Sequence, residues 1–269
     1  CESVLEMFGG LYPEMLLKWH YRSRSESLIN FSNHHIYDNR LHTFPACFTE
    51  DDKVTLKIVE GEKAFYDRSK SRTNVGEAQE VVREIFERLK NEVDSNSIGV
   101  VTFSSAQANL ISDLIDSQLQ LEPQFENCFD VSNPEYVFVK NLENVQGDER
   151  DVILFSVGYG KDANGKINKN FGPLNNSGGE RRLNVAVTRA RTEVKIFTNF
   201  HPREFDVSGS SSEGLRLLKE YLLYAQDGHT ALLREETIST EDSFDSPFEK
   251  EVAAKLREKG WEVRTQIGV

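Results

Sequence analysis

Ile98-Gly-Val-Val-Thr-Phe103, an apolar run of strand length, leads at once into Ser104-Ser-Ala-Gln107 and then into Leu110, Ile111, Leu114, Ile115 and Leu119. The run reads as a strand buried on both faces, and the 3.6-residue spacing after it as the inward stripe of a helix that Ser104 can cap. The alternation recurs on both sides of this βα unit. Val54-Thr-Leu-Lys-Ile-Val59 reads as a strand. Asn74 stands as the cap of the next helix, with Glu77 three residues on to answer it and Ala78, Val81, Val82, Ile85, Phe86 and Leu89 on one stripe. Tyr136-Val-Phe-Val139, Val152-Ile-Leu-Phe155 and Val194-Lys-Ile-Phe-Thr198 are further strands, and a later helix carries Leu215, Leu218, Leu222 and Ala225. Strands alternating with helices predict an α/β fold, a parallel sheet with helices on both faces, whose ligands bind where strand ends meet helix starts.

Gly179-Glu-Arg-Arg-Leu-Asn-Val-Ala-Val-Thr-Arg-Ala-Arg191 carries the strongest chemical signal. Leu183, Ala186, Val187 and Ala190 fall at i, i+3, i+4 and i+7, predicting a helix whose other side holds Arg182 and Arg189 two turns apart. A guanidinium binds phosphate oxygens bidentately and stays charged at any working pH, so the stretch reads as a phosphate-facing element. A solvated basic face explains the same arginines. Between two of the strands lies the polar turn Gln146-Gly147-Asp148-Glu149. There Gly147 permits a positive φ or a close ligand approach, and Glu149 can accept hydrogen bonds from a sugar hydroxyl. A purely structural turn accounts for it equally well.

With Trp19-His-Tyr-Arg-Ser23 near the start, these segments carry a family resemblance. The chain resembles the second RecA-like domain of a superfamily 1 helicase, in the 5′-to-3′ branch that includes the nonsense-mediated decay helicase and the helicase-nucleases of lagging-strand processing. His20-Tyr-Arg-Ser23 is similar to that family's motif IV, Asn144-Val-Gln-Gly-Asp-Glu149 to motif V and Arg182-Leu-Asn-Val-Ala-Val-Thr-Arg-Ala-Arg191 to motif VI. The resemblance implies that Arg189 is an arginine finger reaching the γ-phosphate of ATP, that Arg22 approaches the same phosphates and that Arg182 belongs to the nucleotide side. It further implies that Glu149 contacts the ribose, that Gln146 and Gly147 lie at the nucleotide or domain interface and that Tyr21 lies near the base. Val101-Thr-Phe-Ser-Ser-Ala-Gln107 resembles the family's Thr-x-Tyr-x-x-Gln element, with Ser104 where the family has Tyr. That assigns Gln107, Ser104 and, from motif VI, Thr188 to the nucleic-acid strand.

The phosphate loop and the paired acids that would hold Mg²⁺ are absent from the sequence. Both belong to a first RecA-like domain, so the chain, which opens at Cys1, is expected to be the later part of a longer enzyme and inactive as an ATPase alone. ATP with Mg²⁺ is the implied cofactor, bound mainly by that other domain.

At 269 residues, 38% hydrophobic and 28% charged, the composition is that of a soluble globular protein. No apolar run approaches the roughly 20 residues that span a bilayer and no signal-peptide pattern opens the chain, so a cytoplasmic location without membrane is expected. Cys1, Cys47 and Cys128 are too scattered for a zinc site or a disulfide framework, and no metal ligands are assigned. A net charge of −12 argues against a generally basic nucleic-acid coat but leaves room for a narrow track gripping single strands.

Residues 158–179 turn to Gly, Asn, Lys and Ser without periodicity and are expected to form a long loop that touches nucleic acid or orders on domain closure, unless it is simply disordered. The RecA-like domain is assigned to residues 1–227 and an acidic linker to 228–245. Residues 246–269, Ser246-Pro-Phe-Glu-Lys-Glu-Val-Ala-Ala-Lys-Leu256 as a helix and Trp261 to Gly268 as a strand, resemble the opening of a restriction-endonuclease-like domain. A terminal helix and strand packing back on the helicase domain is the alternative. The nuclease-like tail tilts the expected single-stranded partner to DNA over RNA. An RNA helicase of the same branch and a non-catalytic binding module are the competing readings.

Overall fold

The computed structural model describes residues 17–43, 53–91, 96–228, 230–232 and 246–259. Its elements run α1 (Ser27–His35), β1 (Val54–Ile58), α2 (Val75–Lys90), β2 (Ile98–Thr102), α3 (Ser105–Leu121), β3 (Phe138–Asn141), β4 (Arg150–Ser156), α4 (Gly179–Val187), β5 (Ala190–Thr198), α5 (Glu213–Asp227) and α6 (Pro247–Glu258). The five strands form one sheet in the order β1-β5-β4-β2-β3, and every pairing is parallel.

The period of two along the strands divides the core into two layers. Val100, Val152, Leu154 and Phe197 pack under α2 and α3 with Val81, Ile85, Phe86, Ile111 and Ile115. Val101, Ile153, Phe155, Val194 and Ile196 turn the other way, against Leu28 and Phe31 of α1, Leu183 and Val187 of α4, and Leu215, Leu218 and Leu222 of α5. Helices therefore cover both faces, the α/β architecture expected of a RecA-like domain. None of the described helices is long and apolar enough to cross a membrane.

Three expectations change in detail. The motif VI helix stops at Val187, and Ala190 belongs to β5, paired with Arg150 of β4. The Thr188 hydroxyl bonds back to the carbonyls of Asn184 and Val185, which caps the helix, and the pairing with β4 captures the chain from Ala190 onward. Second, residues 142–149 are not a turn between adjacent strands. β3 and β4 lie on opposite sides of β2 and point the same way, so this segment runs back across the sheet, burying Leu142 and Val145 on the way. It delivers Glu149 to the edge where the strands begin. Third, the capping pair on α2 is half formed. The Asn74 side chain accepts from the Glu77 N–H, but the Asn74 N–H donates to Gln107, while the Glu77 carboxyl group turns inward to Ser156.

The loop over 158–179 is packed. A bridge joins Lys161 to Ile167, a 3₁₀ turn spans Gly172–Asn175, and Phe171 and Leu174 are fully buried. At the tail, α6 occupies the place of the expected helix. The strand expected from Trp261, most of the acidic linker, Cys1 and Cys47 lie outside the described residues.

Candidate phosphate-binding site

Because the sheet is all parallel, its two edges are chemically distinct, and most of the motif residues gather where the strands begin. The Arg24 N–H donates to the Arg191 carbonyl at 2.8 Å, laying motif IV beside the start of β5. His20 shapes the turn that follows. Its Nε2 accepts from the Ser23 N–H at 3.1 Å and lies 2.8 Å from Ser23 Oγ. Burial, and then the charge of Arg22, lower the His20 pKa, which keeps the ring neutral and able to accept.

That turn directs Arg22 at motifs V and VI. Its Nε donates to Glu149 Oε2 at 2.8 Å and a terminal nitrogen donates to the Thr188 carbonyl at 3.2 Å. Arg189 comes to the same place from the other side, donating from Nε to the Val185 carbonyl at 2.6 Å and from a terminal nitrogen to Thr188 Oγ1 at 3.4 Å. The two guanidiniums thus meet at Thr188. Arg189 makes no ion pair among the described residues, and burial followed by the like charge of Arg22 lowers its pKa. A guanidinium does not lose its proton at working pH, so the lowering means that burial and Arg22 outweigh the opposing charges of Glu149 and Asp148 nearby. Hydrogen bonding from Arg22 keeps the Glu149 carboxyl below its usual range, so it is an anion at neutral pH.

The four arginines of the motif VI stretch therefore divide. Arg191 is neutralised by Asp151 at 3.0 Å and Glu135 at 3.0 Å and also donates to Ser97, a clamp across three strand starts. Arg181 faces solvent beside Glu180. Arg182 donates to the Ser177 carbonyl at 3.1 Å, toward the beginning of α4 and away from Arg189. The expectation that Arg182 and Arg189 share a helical face is corrected, because the helix ends before Arg189. Gln146 and Gly147 are exposed, and Gly147 holds φ 92°, a conformation that favours glycine. Tyr21, next to Arg22 in the chain, is 85% exposed, leaving its ring open to a ligand.

Thr188 is the clearest departure among the residues expected on the nucleic-acid strand. It is buried, its hydroxyl is bonded to helix carbonyls, and its own carbonyl holds Arg22, so it belongs to the arginine site. Ser104 and Gln107 lie at the opposite edge, where the strands end. Ser104 caps α3 by accepting from the Gln107 N–H. Gln107 is fully buried, its amide donating to the Asn74 carbonyl and Ser156 Oγ and accepting from the Asn74 N–H. This side chain points into the protein and joins α3, α2 and β4.

One residue unforeseen in the sequence completes the first edge. Arg150, buried, donates twice to the Tyr136 carbonyl and lies over the Tyr136 and Phe138 rings at 5.2 and 4.9 Å, fixing the strand start beside Glu149. An arginine just ahead of an apolar strand was the only signal, and it does not distinguish a buried cation from a solvated one.

Residues 2–201 match the family described as an AAA domain. The uncharacterized ATP-dependent helicase MG140 of Mycoplasma genitalium is 41% identical over 215 residues, 78% of this chain and 18% of the relative. Its Mycoplasma pneumoniae homolog is 40% identical over 217 residues, with the same coverage of 78% and 18%. The DNA polymerase alpha-associated DNA helicase A of Saccharomyces cerevisiae is 32% identical over 130 residues, 48% of this chain and 16% of that protein. This chain spans about a fifth of the length of its mycoplasma relatives. The solved C-terminal domain of a possible DNA helicase from Lactobacillus plantarum aligns at TM-score 0.40 and 12% identity over 75% of this chain and 96% of that one, too loosely to add to the strand pairing itself. With the matched residues running through all five strands and both arginines of the site, the chain belongs to the AAA domain family.

Proposed function

We propose that this chain is the second RecA-like motor domain of an ATP-dependent superfamily 1 helicase or translocase, acting on single-stranded nucleic acid. ATP is hydrolysed at the interface with a first RecA-like domain of the same polypeptide, which supplies the phosphate loop and the ligands for Mg²⁺. The observation that carries the reading is the pair Arg22 and Arg189, brought together from motifs IV and VI, with Arg189 half-buried and without an ion-pair partner among the described residues.

Two guanidiniums meeting at Thr188 with Glu149 as the one bonded carboxylate leave room for a further anion, and the donors fit phosphate oxygens. Hydrolysis spreads negative charge over the transferring phosphoryl group. A guanidinium fixed by Val185 and Thr188 therefore stabilises the transition state more than the ground state. Glu149, anionic and half-exposed beside Arg22, suits a sugar hydroxyl. DNA is favoured over RNA by the name of the Saccharomyces relative and by a tail helix where a nuclease-like domain would begin. A cytoplasmic location goes with this reading.

The test is single-strand-stimulated ATP hydrolysis by the full-length protein, wild type against Arg189→Ala, with DNA and RNA as separate stimulants. Stimulated hydrolysis that drops about a thousandfold in the variant, with nucleotide binding kept, supports the motor reading, and the better stimulant names the substrate. Hydrolysis indifferent to Arg189 sinks it.

A further inference from the structure

Between β1 and α2, residues 66–74 form a basic loop on an acidic chain, after the exposed Glu60 and Glu62. Arg68, Ser69, Lys70, Ser71 and Arg72 are all exposed, and Arg68, Lys70 and Arg72 make no ion pair among the described residues, although the chain carries a net charge of −12. Asp67 builds the loop from within. Its Oδ1 accepts from the N–H groups of Ser69 and Lys70 and from Ser69 Oγ, and its Oδ2 accepts from the N–H and Oγ of Ser71. These bonds hold the Asp67 carboxyl down at about 2, so it remains an acceptor for them at any working pH. The Asp67 charge is spent on amides and hydroxyls, which leaves the three cations facing out. Arg72 sits at φ 58°, closing the loop as its N–H donates to the Asp67 carbonyl.

The loop is anchored at the edge where the strands end. Tyr66 bridges to Asn74, the Tyr66 N–H donates to the Lys161 carbonyl, and Gln107 grips both backbone groups of Asn74. The half-buried Tyr159 lies tilted against Tyr66, ring centroids 5.2 Å apart, feels the Arg72 charge and bonds to the side chain of Ser104. Unpaired cations spaced along a loop tied down by its own hydrogen bonds supply what a polyphosphate chain needs, point charges along its backbone.

We propose that loop 66–74 binds the phosphodiester backbone of the single strand through Arg68, Lys70 and Arg72. The assignment rests on the helicase reading above. It places the strand on the sheet edge opposite the Arg22–Arg189 site, so nucleotide and nucleic acid occupy the two ends of one set of strands.

The experiment measures binding of fluorescein-labelled dT oligonucleotide to the full-length protein by anisotropy at several salt concentrations. It compares wild type, Arg68→Gln/Lys70→Gln and the equal-charge control Arg83→Gln/Lys90→Gln on α2, each checked for folding by circular dichroism. The loop variant is expected to bind on the order of tenfold more weakly near 0.1 M salt, with the slope of log K against log salt reduced by about 1.4, two contacts' worth. The control is expected to match wild type. A loop variant indistinguishable from the control overturns the assignment, as does one that keeps its oligonucleotide affinity and loses only retention on polyglutamate. Wild type with no salt-dependent single-strand binding at all overturns the helicase reading instead.

Discussion

At the edge where the strands end, Asn74, Glu77 and Gln107 are fully buried; the Asn74 and Glu77 side chains bond to each other, Gln107 bonds to the Asn74 backbone and Ser156, and Glu77 takes bonds from Ser156 and Gly158. At the edge where they begin, Arg22 and Arg189 are half-exposed, and Arg189 is held by oxygens that do not cancel its charge. Buried polar groups at the first edge are satisfied, as a stable interior requires. Charge at the second is left over, as a binding site requires. The buried polar groups at the first edge thus act as a keystone and the arginines at the second as a candidate site, and substitutions at the two should fail in different ways.

The largest expected effect is on catalysis. Arg189→Ala lowers the stimulated ATPase rate by about a thousandfold, roughly 4 kcal/mol of transition-state stabilisation, while leaving thermal stability nearly unchanged, since removing it also removes its repulsion with Arg22. A denaturation midpoint that falls as steeply as the rate would erase the distinction between the edges.

Gln107→Ala should do the reverse. It strands the N–H and carbonyl of Asn74 and loosens Ser156, all buried, at a cost of about 3 kcal/mol in urea unfolding, with little loss of activity in the molecules that remain folded. Gly158, at φ 68°, lies with its backbone against the Gln107 side chain, so the neighbouring loop should loosen as well. If the variant stays as stable as wild type yet loses nucleic-acid stimulation, Gln107 is a contact to the strand and the structural assignment of this edge is wrong.

Much of this contrast could be read from residues in order. The alternation of apolar runs and helical stripes predicts the parallel α/β sheet, because both signals are local and periodic. Ala78, Val81, Val82, Ile85 and Phe86 are buried as their spacing predicts. The candidate arginines of motif VI stand out because four of them crowd one short stretch. Which of the four comes to Arg22 without an ion pair was not legible, because the answer depends on Asp151 and Glu135 reaching Arg191 across the sheet and on where α4 ends. Glu77 was hidden for the same reason. Its spacing from Asn74 signals a helix cap, and only the arrival of Ser156 and Gly158 from β4 draws the carboxyl inside.

That inward turn gives the next effect. Burial raises the Glu77 carboxyl from 4.5 to about 8, against the opposing bonds from Ser156 and Gly158. The native state therefore keeps a proton that the unfolded chain releases, so the stability tied to this group is fully present below about 4.5 and declines as pH rises toward 8. Glu77→Gln carries no titrating proton and should flatten the fall of the urea midpoint across that window. A wild-type midpoint no steeper with pH than the variant's would mean that the carboxyl ionises in place, supported by its donors.

The smallest effect tests the charged edge most finely, because Glu149 has two candidate duties there. It holds Arg22 by a 2.8 Å bond, and it stands free enough to take a sugar hydroxyl. Glu149→Ala should raise the KM for ATP by about three- to tenfold, the worth of one hydrogen bond, and should abolish any preference of the full-length enzyme for ATP over its 2′- and 3′-deoxy analogues. If the preference survives while kcat drops and KM holds, the carboxylate acts only by aiming Arg22. Nucleotide recognition then shifts toward the exposed Tyr21, and the charge left over at this edge is set by one carboxylate whose job is to keep one guanidinium from collapsing onto the other's oxygens.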